Sequence, residues 1–291
     1  MFPTVAKLIA DDGVDLAVAA RVLGFTRQAF YKWQACPVSV REREDEQILE
    51  RIRQIHGDDP EFGYRLIADE LIAQGVKVSE RRVWRICHNN GVFSAIIHTR
   101  RSGKGRPGPA VHDDMLQRHF RADSVNVAWV VDITEHHTAE GKLYMCAIKD
   151  LCSRRIVGYA IDKHMKSRLA VAALNDAMVK RGYPRGVIVH SDRGSQFHSR
   201  KFTMALRAYK AKGSMGRVGA AGDNAAMESF FSLLQKNVLN RKKWGTRREL
   251  SVAITYWIER TYHRKRRQRA LGKLTPIEYE AIIKPAVTLA A

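Results

Sequence analysis

At Val125 the apolar pattern of this 291-residue chain changes period, and that change limits the folds open to it. Upstream, apolar residues recur at helical spacing, as in Ile48, Ile52 and Ile55 or Val83, Ile86 and Cys87. Downstream, three apolar runs follow at short intervals: VAWVVDIT (127–134), LYMCAIKD (143–150) and RIVGYAI (155–161). They are rich in β-branched and aromatic residues and separated by Gly-containing turns, which predicts a meander of three strands. An amphipathic helix over 167–181 comes next, then GVIVH (186–190), short and fully apolar like a strand buried on both faces. Helices are predicted over 199–209, 225–240 and 248–262, a short strand over 211–215, and a last helix from Thr275-Pro276. A meander followed by alternating strand and helix predicts an α/β core, a mixed sheet with helices packed on it.

The helical first third contains two helix-turn-helix candidates. In residues 16–33, Ala17, Ala20 and Leu23 form a stripe, Gly24 ends it, and Thr26 caps a helix carrying Arg27, Gln28, Tyr31 and Lys32. A plain helical hairpin would give the same pattern. The second candidate has helices over 42–56 and 64–74, the first broken by Asp58-Asp59-Pro60. Its reader helix runs from the Ser79 cap to Gly91. Val83, Ile86 and Cys87 should point inward, leaving Arg81, Arg82, Arg85 and His88 on an almost one-signed outer face suited to DNA, or simply solvated. HTRRSGKGRPGP (98–109) reads as a linker whose Arg100 and Arg101 can follow a phosphate backbone. The expected division is 1–40 and 41–97 for the two helix-turn-helix units and 98–119 for the basic linker. The α/β core spans 120–245, and 246–291 forms a basic helical extension.

Charge narrows the partners. Lys and Arg total 50 against 30 Asp and Glu, a formal net charge of +20. Such an excess argues against an ordinary small-molecule enzyme and favours a polyanion. No apolar run reaches the length of a membrane span, and no amphipathic basic helix with a Trp/Phe face favours a membrane surface. Cys36, Cys87, Cys146 and Cys152 form no CxxC pair, so four buried free thiols in a reducing cytoplasm are expected.

Three acids stand out by position. Asp132 interrupts the apolar run 127–133, where a charge is costly unless it is paired or binds a metal. Asp192 directly follows the 186–190 strand, and Glu228 lies in the first turn of a helix. Their spacing is D-x59-D-x35-E. Hard oxygen ligands on rigid supports suit Mg²⁺, and two such ions can activate an attacking oxygen and stabilise a leaving one without a protein nucleophile. A salt-bridged Asp132, a turn-capping Asp192 and a solvated Glu228 are the alternatives. His136, His137 and His190 read as surface or supporting groups.

Around these acids the chain resembles the OrfB transposases of the "IS three" family of insertion sequences, relatives of retroviral integrases. The matching stretches are WVVDIT (129–134), DLCSRRIVGY (150–159), HSDRGSQF (190–197), DNAAMESFF (223–231) and LGKLTP (271–276), with FGYR (62–65) upstream. The resemblance runs from about Ala20 to the C-terminus. It implies an RNase H-like core and Asp132, Asp192 and Glu228 as catalytic residues and ligands of two Mg²⁺ ions, with Mn²⁺ able to substitute. It implies a metal-dependent polynucleotidyl transferase that cleaves double-stranded DNA at the terminal inverted repeats. The freed 3′-hydroxyls then attack target DNA. A homo-oligomeric synaptic complex is expected, in a cytoplasmic, nucleoid-associated protein. An upstream-frame transposase protein is an expected partner, because no heptad run appears here.

Some neighbours extend this reading. Ser232 and Gln235 fall at i+4 and i+7 from Glu228, so Gln235 and the adjacent Lys236 are placed to touch DNA. Asn224 is placed to cap the helix or orient a ligand. Residues 260–273 hold seven Lys/Arg, among them Arg264, Arg266 and Arg267, and read as a DNA path. His263 and Gln268 depart from the Asn and His usual in the family. Two other functions share these features: a non-catalytic helix-turn-helix DNA-binding protein derived from a transposase, and a sequence-independent RNase H-type nuclease. If DNA binding neutralises about eight phosphates, log K should fall with log salt at a slope of roughly −7. A slope near zero in a fluorescence-anisotropy titration would refute a basic groove.

Overall fold

The computed structural model describes residues 1–95, 111–117, 119–216 and 225–288. Twelve α-helices and five strands are named in chain order among them. Helix α1 (Phe2–Asp12) precedes the predicted pair α2 (Leu16–Leu23) and α3 (Arg27–Ala35). Gly13 and Gly24 end α1 and α2 in the left-handed conformation, at φ 64° and 71°. Asp15 and Thr26 accept hydrogen bonds from the first free N–H groups of α2 and α3. Val5, Ala19 and Phe30 form the small core, with Phe2, Phe25 and Trp33 around it. Helix α1 was not anticipated.

The second unit comprises α4 (Val40–Asp58), α5 (Tyr64–Ala73) and α6 (Glu80–Asn89). Ser39 and Glu42 make a reciprocal capping box that starts α4. Ile48, Ile52, Ile55, Val83, Ile86 and Cys87 meet in its core as the helical spacing requires. Cys36 departs from expectation: it is exposed, on the short stretch between α3 and α4, whereas the other three thiols are buried and none is in a disulfide.

The meander forms as predicted: β1 (Ala128–Thr138), β2 (Gly141–Asp150) and β3 (Ile156–Asp162) pair antiparallel. Helix α7 (Ser167–Lys180) crosses over, so that β4 (Ile188–Ser191) returns parallel to β1. Helices α8 (Ser195–His198) and α9 (Arg200–Ala208) lead to β5 (Lys212–Met215), parallel to β4. The strand order is β3-β2-β1-β4-β5, a mixed sheet with β1 at its centre.

Side-chain alternation divides the core in two. Trp129, Val131, Cys146, Ile148 and Val189 face α7, α8 and α9. Ala128, Val130, Met145 and Ala147 face α10 (Ala225–Leu234) and α11 (Arg247–Tyr256). The two last helices differ from prediction, because each turns from α to π geometry, over Gln235–Leu239 and Trp257–Tyr262. The closing helix α12 (Pro276–Thr288) starts where Thr275-Pro276 placed it. No helix among the described residues is long and apolar enough to cross a membrane.

Helix α7 rests on β3 at Gly158, where an added Cβ would stand 2.6 Å from the Ala173 carbonyl oxygen. Neither partner is a flexible side-chain tip, so the helix itself would have to lift. Gly158→Ala is expected to cost about 2 kcal/mol by chemical denaturation. Unchanged stability would show that this contact yields freely.

Candidate active site

The site begins with a strand register. β1 and β4 run parallel, with Val130 opposite His190 and Val131 opposite Ser191. The next residues, Asp132 and Asp192, therefore stand side by side where β4 ends and β1 continues. By alternation Asp132 shares the face of Ala128 and Val130, against which Met227, Phe230 and Leu234 of α10 pack. Glu228 lies in the first turn of that helix. One sheet face and its covering helix thus carry all three acids, with Asp132 buried and the other two partly exposed.

The backbone orients the aspartates. Asp132 Oδ1 accepts the Ile133 N–H at 2.8 Å and Asp192 Oδ1 accepts the Gly194 N–H at 2.9 Å. The second bond is the turn cap expected as an alternative for Asp192, and it leaves Asp192 Oδ2 for another role. Cys146 lies fully buried on the opposite, α7 face of the sheet, yet feels the charge of both. Its thiol is pushed well above its ordinary value, by burial first and then by the negative charges of Asp132 and Asp192. Both aspartates are thus within electrostatic reach of one sulfur. Among the described residues, no three His, Cys, Asp or Glu side chains stand close enough together to hold one ion. The donor chemistry fits a hard cation, and Asp132 and Asp192 are already neighbours.

The surroundings are tied down. His190 is buried with Nδ1 2.9 Å from Ser214 Oγ, and Arg193 Nε donates to the Gly216 carbonyl at 2.8 Å. Residues 111–117 belonged to the expected linker, yet they pack along β5: Met115 N–H donates to Ser214 Oγ and Met215 N–H to the Asp113 carbonyl. Further along β1, His136 and His137 line a cleft of about 570 Å³ with Lys242, Lys243 and Trp244. Burial, then the nearby His137, lowers the pKa of His136. Nothing local in the sequence joins these two segments.

The expected DNA contacts divide. Arg27, Gln28, Arg81 and Arg264 are exposed. Arg82 and Arg85 are not the free charges expected, since α4 lies alongside. Arg82 pairs with Asp45 at 2.7 Å and Glu44 at 2.9 Å, and Arg85 also pairs with Asp45. The outer face of α6 instead shows Trp84 stacked on His88, ring centroids 5.2 Å apart, with Phe93 edge-on to His88. Trp84 was not singled out, although it lies off the inward stripe. Gln235 bonds its amide to Asn240 on the π-turn, and Lys236 is partly exposed there. Asn224, Arg100 and Arg101 lie outside the described residues.

The basic stretch 260–273 also departs from expectation. Five of its seven cations pair with acids of the second helical unit or its border. Arg260 and Lys265 both reach the buried Asp59 at 2.8 Å. Arg267 reaches Glu70 at 3.7 Å, Arg269 reaches Glu80 at 2.7 Å, and Lys273 reaches Asp69 at 2.8 Å. Arg267 also grips Glu278 with two bonds, at 2.7 and 3.0 Å. Arg266 is largely buried, which lowers its pKa. Much of this stretch binds one part of the chain to another rather than standing open as a path.

Two residue sets of known proteins match this architecture. The family description "Integrase core domain" matches residues 122–221 and, in a second form, 209–276, and "HTH-like domain" matches 42–101. The 31 kDa protein of insertion element IS600 from Shigella sonnei is 33% identical over 89% of this chain and 96% of its own length. The transposase InsF of insertion sequence IS3A from Escherichia coli K12 is 31% identical over 89% of this chain and 92% of its own. The chain belongs to the IS3 family of insertion-sequence transposases. The magnesium-bound catalytic core of HTLV-2 integrase is more distantly similar, at 18% identity and a TM-score of 0.42, over 53% of this chain and 95% of that one.

One departure from the IS3-family pattern now has a structural role. His263 Nε2 accepts the Ile156 N–H at 3.1 Å, so the ring is neutral and Nδ1–H donates to Glu259 at 3.2 Å. Burial holds its pKa below the ordinary value. A folded pKa below the unfolded one means that the unfolded chain binds more protons in between, so stability falls as pH drops below about 6.5. His263→Asn, which restores the residue usual in the family, is expected to flatten the urea-unfolding stability curve between pH 7 and 5. An unchanged slope would place the acid sensitivity elsewhere.

Proposed function

We propose that this transposase cleaves double-stranded DNA at the terminal repeats of its own element and joins the freed 3′-hydroxyls to target DNA, with Asp132, Asp192 and Glu228 holding divalent ions. The β1–β4 register carries the proposal, because it sets two aspartates side by side on the face covered by the helix of Glu228. Carboxylates on adjacent strand ends are hard ligands of fixed geometry, as Mg²⁺ or Mn²⁺ in a two-ion arrangement demands. When bound, such ions supply charge neutralisation for the attacking and leaving oxygens. The protein's own part is to position them. The Ile133 and Gly194 N–H groups hold the two aspartates, and α10 brings Glu228 from above. Closing the third ligand onto the pair is the part left to α10, and the π-turn at Gln235–Leu239 is the kind of irregularity that marks functional sites.

Exposed Arg27 and Gln28 on α3 and Arg81 on α6 are the helix-turn-helix contacts in this reading, with Lys236, two turns beyond Glu228, and exposed Arg264 as further contacts. Arg82, Arg85 and Arg267 would reach DNA only by exchanging the carboxylates they now hold. A synaptic complex of several copies, and an upstream-frame partner, complete the proposal. The similarity to the transposase InsF and the integrase-core match support it.

The test uses a labelled duplex from the DNA flanking the gene. Mg²⁺-dependent nicking at one terminal position is expected, with Asp132→Asn, Asp192→Asn and Glu228→Gln each lowering the rate about a thousand-fold or more while leaving binding intact. Cutting at unrelated positions would favour a sequence-independent nuclease. Specific binding without cutting, in any divalent metal and with the upstream protein added, would favour a DNA-binding protein without chemistry.

A further inference from the structure

Beneath the acids lies a charged group that the proposed chemistry does not use. Lys149, on β2, pairs with Val130 across the sheet, and its neighbour Ala147 pairs with Asp132. Alternation therefore gives Lys149 the same face as Asp132, the one under α10. The residue is only 5% exposed. Its Nζ donates to the Ala226 carbonyl at 3.0 Å, in the first turn of α10 and two residues before Glu228.

The adjacent acid does not serve as its counter-ion. Asp150 accepts from the Asn126, Cys152 and Ser153 N–H groups and from Trp129 Nε1, so its carboxylate holds the β2–β3 turn together. Burial, with the charge of Arg154, depresses the Lys149 pKa to about 7. The β2–β3 ladder slips between Ile148, which pairs with Gly158, and Lys149, which pairs with Ile156, leaving Val157 as the extra residue on β3. Such bulges re-aim a side chain. An apolar residue of similar length would fill this place at less cost, since burying an ammonium is unfavourable. What an apolar residue lacks is a donor for the helix above.

We propose that Lys149 is a positioning residue, a tether from β2 to the first turn of α10 that sets how far Glu228 stands from Asp132 and Asp192. The inference rests on the reading of Glu228 as a metal ligand. The tether itself concerns only Lys149 and Ala226.

Lys149→Met removes the donor and keeps the volume, while Lys149→Gln keeps a donor on a side chain one atom shorter. In the full chain, amide hydrogen exchange over 225–234 is expected to rise at least ten-fold in K149M, with 247–256 unchanged, and K149Q should reverse most of the rise. Mn²⁺ alone, followed by thermal shift, should reach half-saturation at a concentration about ten-fold higher in K149M, with Asp132→Asn as the control that abolishes the shift. Unchanged exchange in K149M overturns the tether. Raised exchange with unchanged Mn²⁺ binding overturns its role in placing Glu228. If wild-type protein shows no Mn²⁺ shift, the metal reading fails, while exchange still decides the tether. Removing a buried charge should not destabilise the fold, so K149M should melt at or above wild type. Loss of the whole fold in K149M but not in K149Q would mean a general structural role and would also overturn the proposal.

Discussion

Where β4 runs beside β1, Val131 pairs with Ser191, and that pairing sets Asp132 and Asp192 side by side through backbone bonds alone. A slip of one residue would turn Asp132 toward the α7 face and bury it among Cys146, Val189 and Met215. The register is held from both sides. Trp129 and Val131 fill one core while Ala128 and Val130 fill the other, so the strand has no polar face on which to slide. Helix α7 supplies the crossover that makes the β1–β4 pairing parallel, and Gly158 lets that helix lie directly on β3. The packing far from the acids is thus what determines where they stand.

Local signals and long-range pairings differ in how far they can be read from the chain. Caps and stops were legible: Thr26, Ser79, Gly24 and Gly91 mark helix ends because the chemistry that ends a helix involves only neighbours. The strands were legible because period and composition agree, and the three acids because each interrupts or follows an apolar run. Helix α1 was passed over because its Pro3 start and Gly13 stop precede a short amphipathic segment with no side-chain cap. The π-turns were invisible because helical spacing assumes one period throughout. Lys149 was passed over and Arg82 misjudged for a different reason. The Ala226 carbonyl lies 77 positions from Lys149 and Asp45 lies 37 from Arg82. A charge looks free in a sequence until the partner that folding brings beside it is known.

That last point bears on the net charge of +20. Long-range attraction to a polyanion depends on the sum, which internal pairing does not change. Local contact depends on which cations are available, and the stretch 260–273 has most of its own tied to Asp59, Asp69, Glu70 and Glu80. These bonds join the last helices to the second helical unit over nearly 200 residues of chain. They are partly exposed for the most part, so each alone contributes little. Asp59 and Asp69 are the buried exceptions, Asp69 beside Lys273 and Asp59 between Arg260 and Lys265. Removing either cation would leave the other to hold it, whereas removing both would strand a buried charge.

Gathering acids at one sheet edge is itself unfavourable, because like charges in a partly buried place repel. Fixed dipoles offset part of this cost. Backbone N–H groups of Ile133 and Gly194 face the two aspartates, and the Cys146 thiol below stays protonated under their field. Lys149 is set into the floor, and its depressed pKa means that the site gives it little help in staying charged. An arrangement of this kind is more stable with cations bound than without, since whatever binds the folded state alone stabilises it by mass action. Holding the acids apart and correctly aimed therefore has an energetic cost in the free protein, and that cost becomes binding free energy when positive charge arrives.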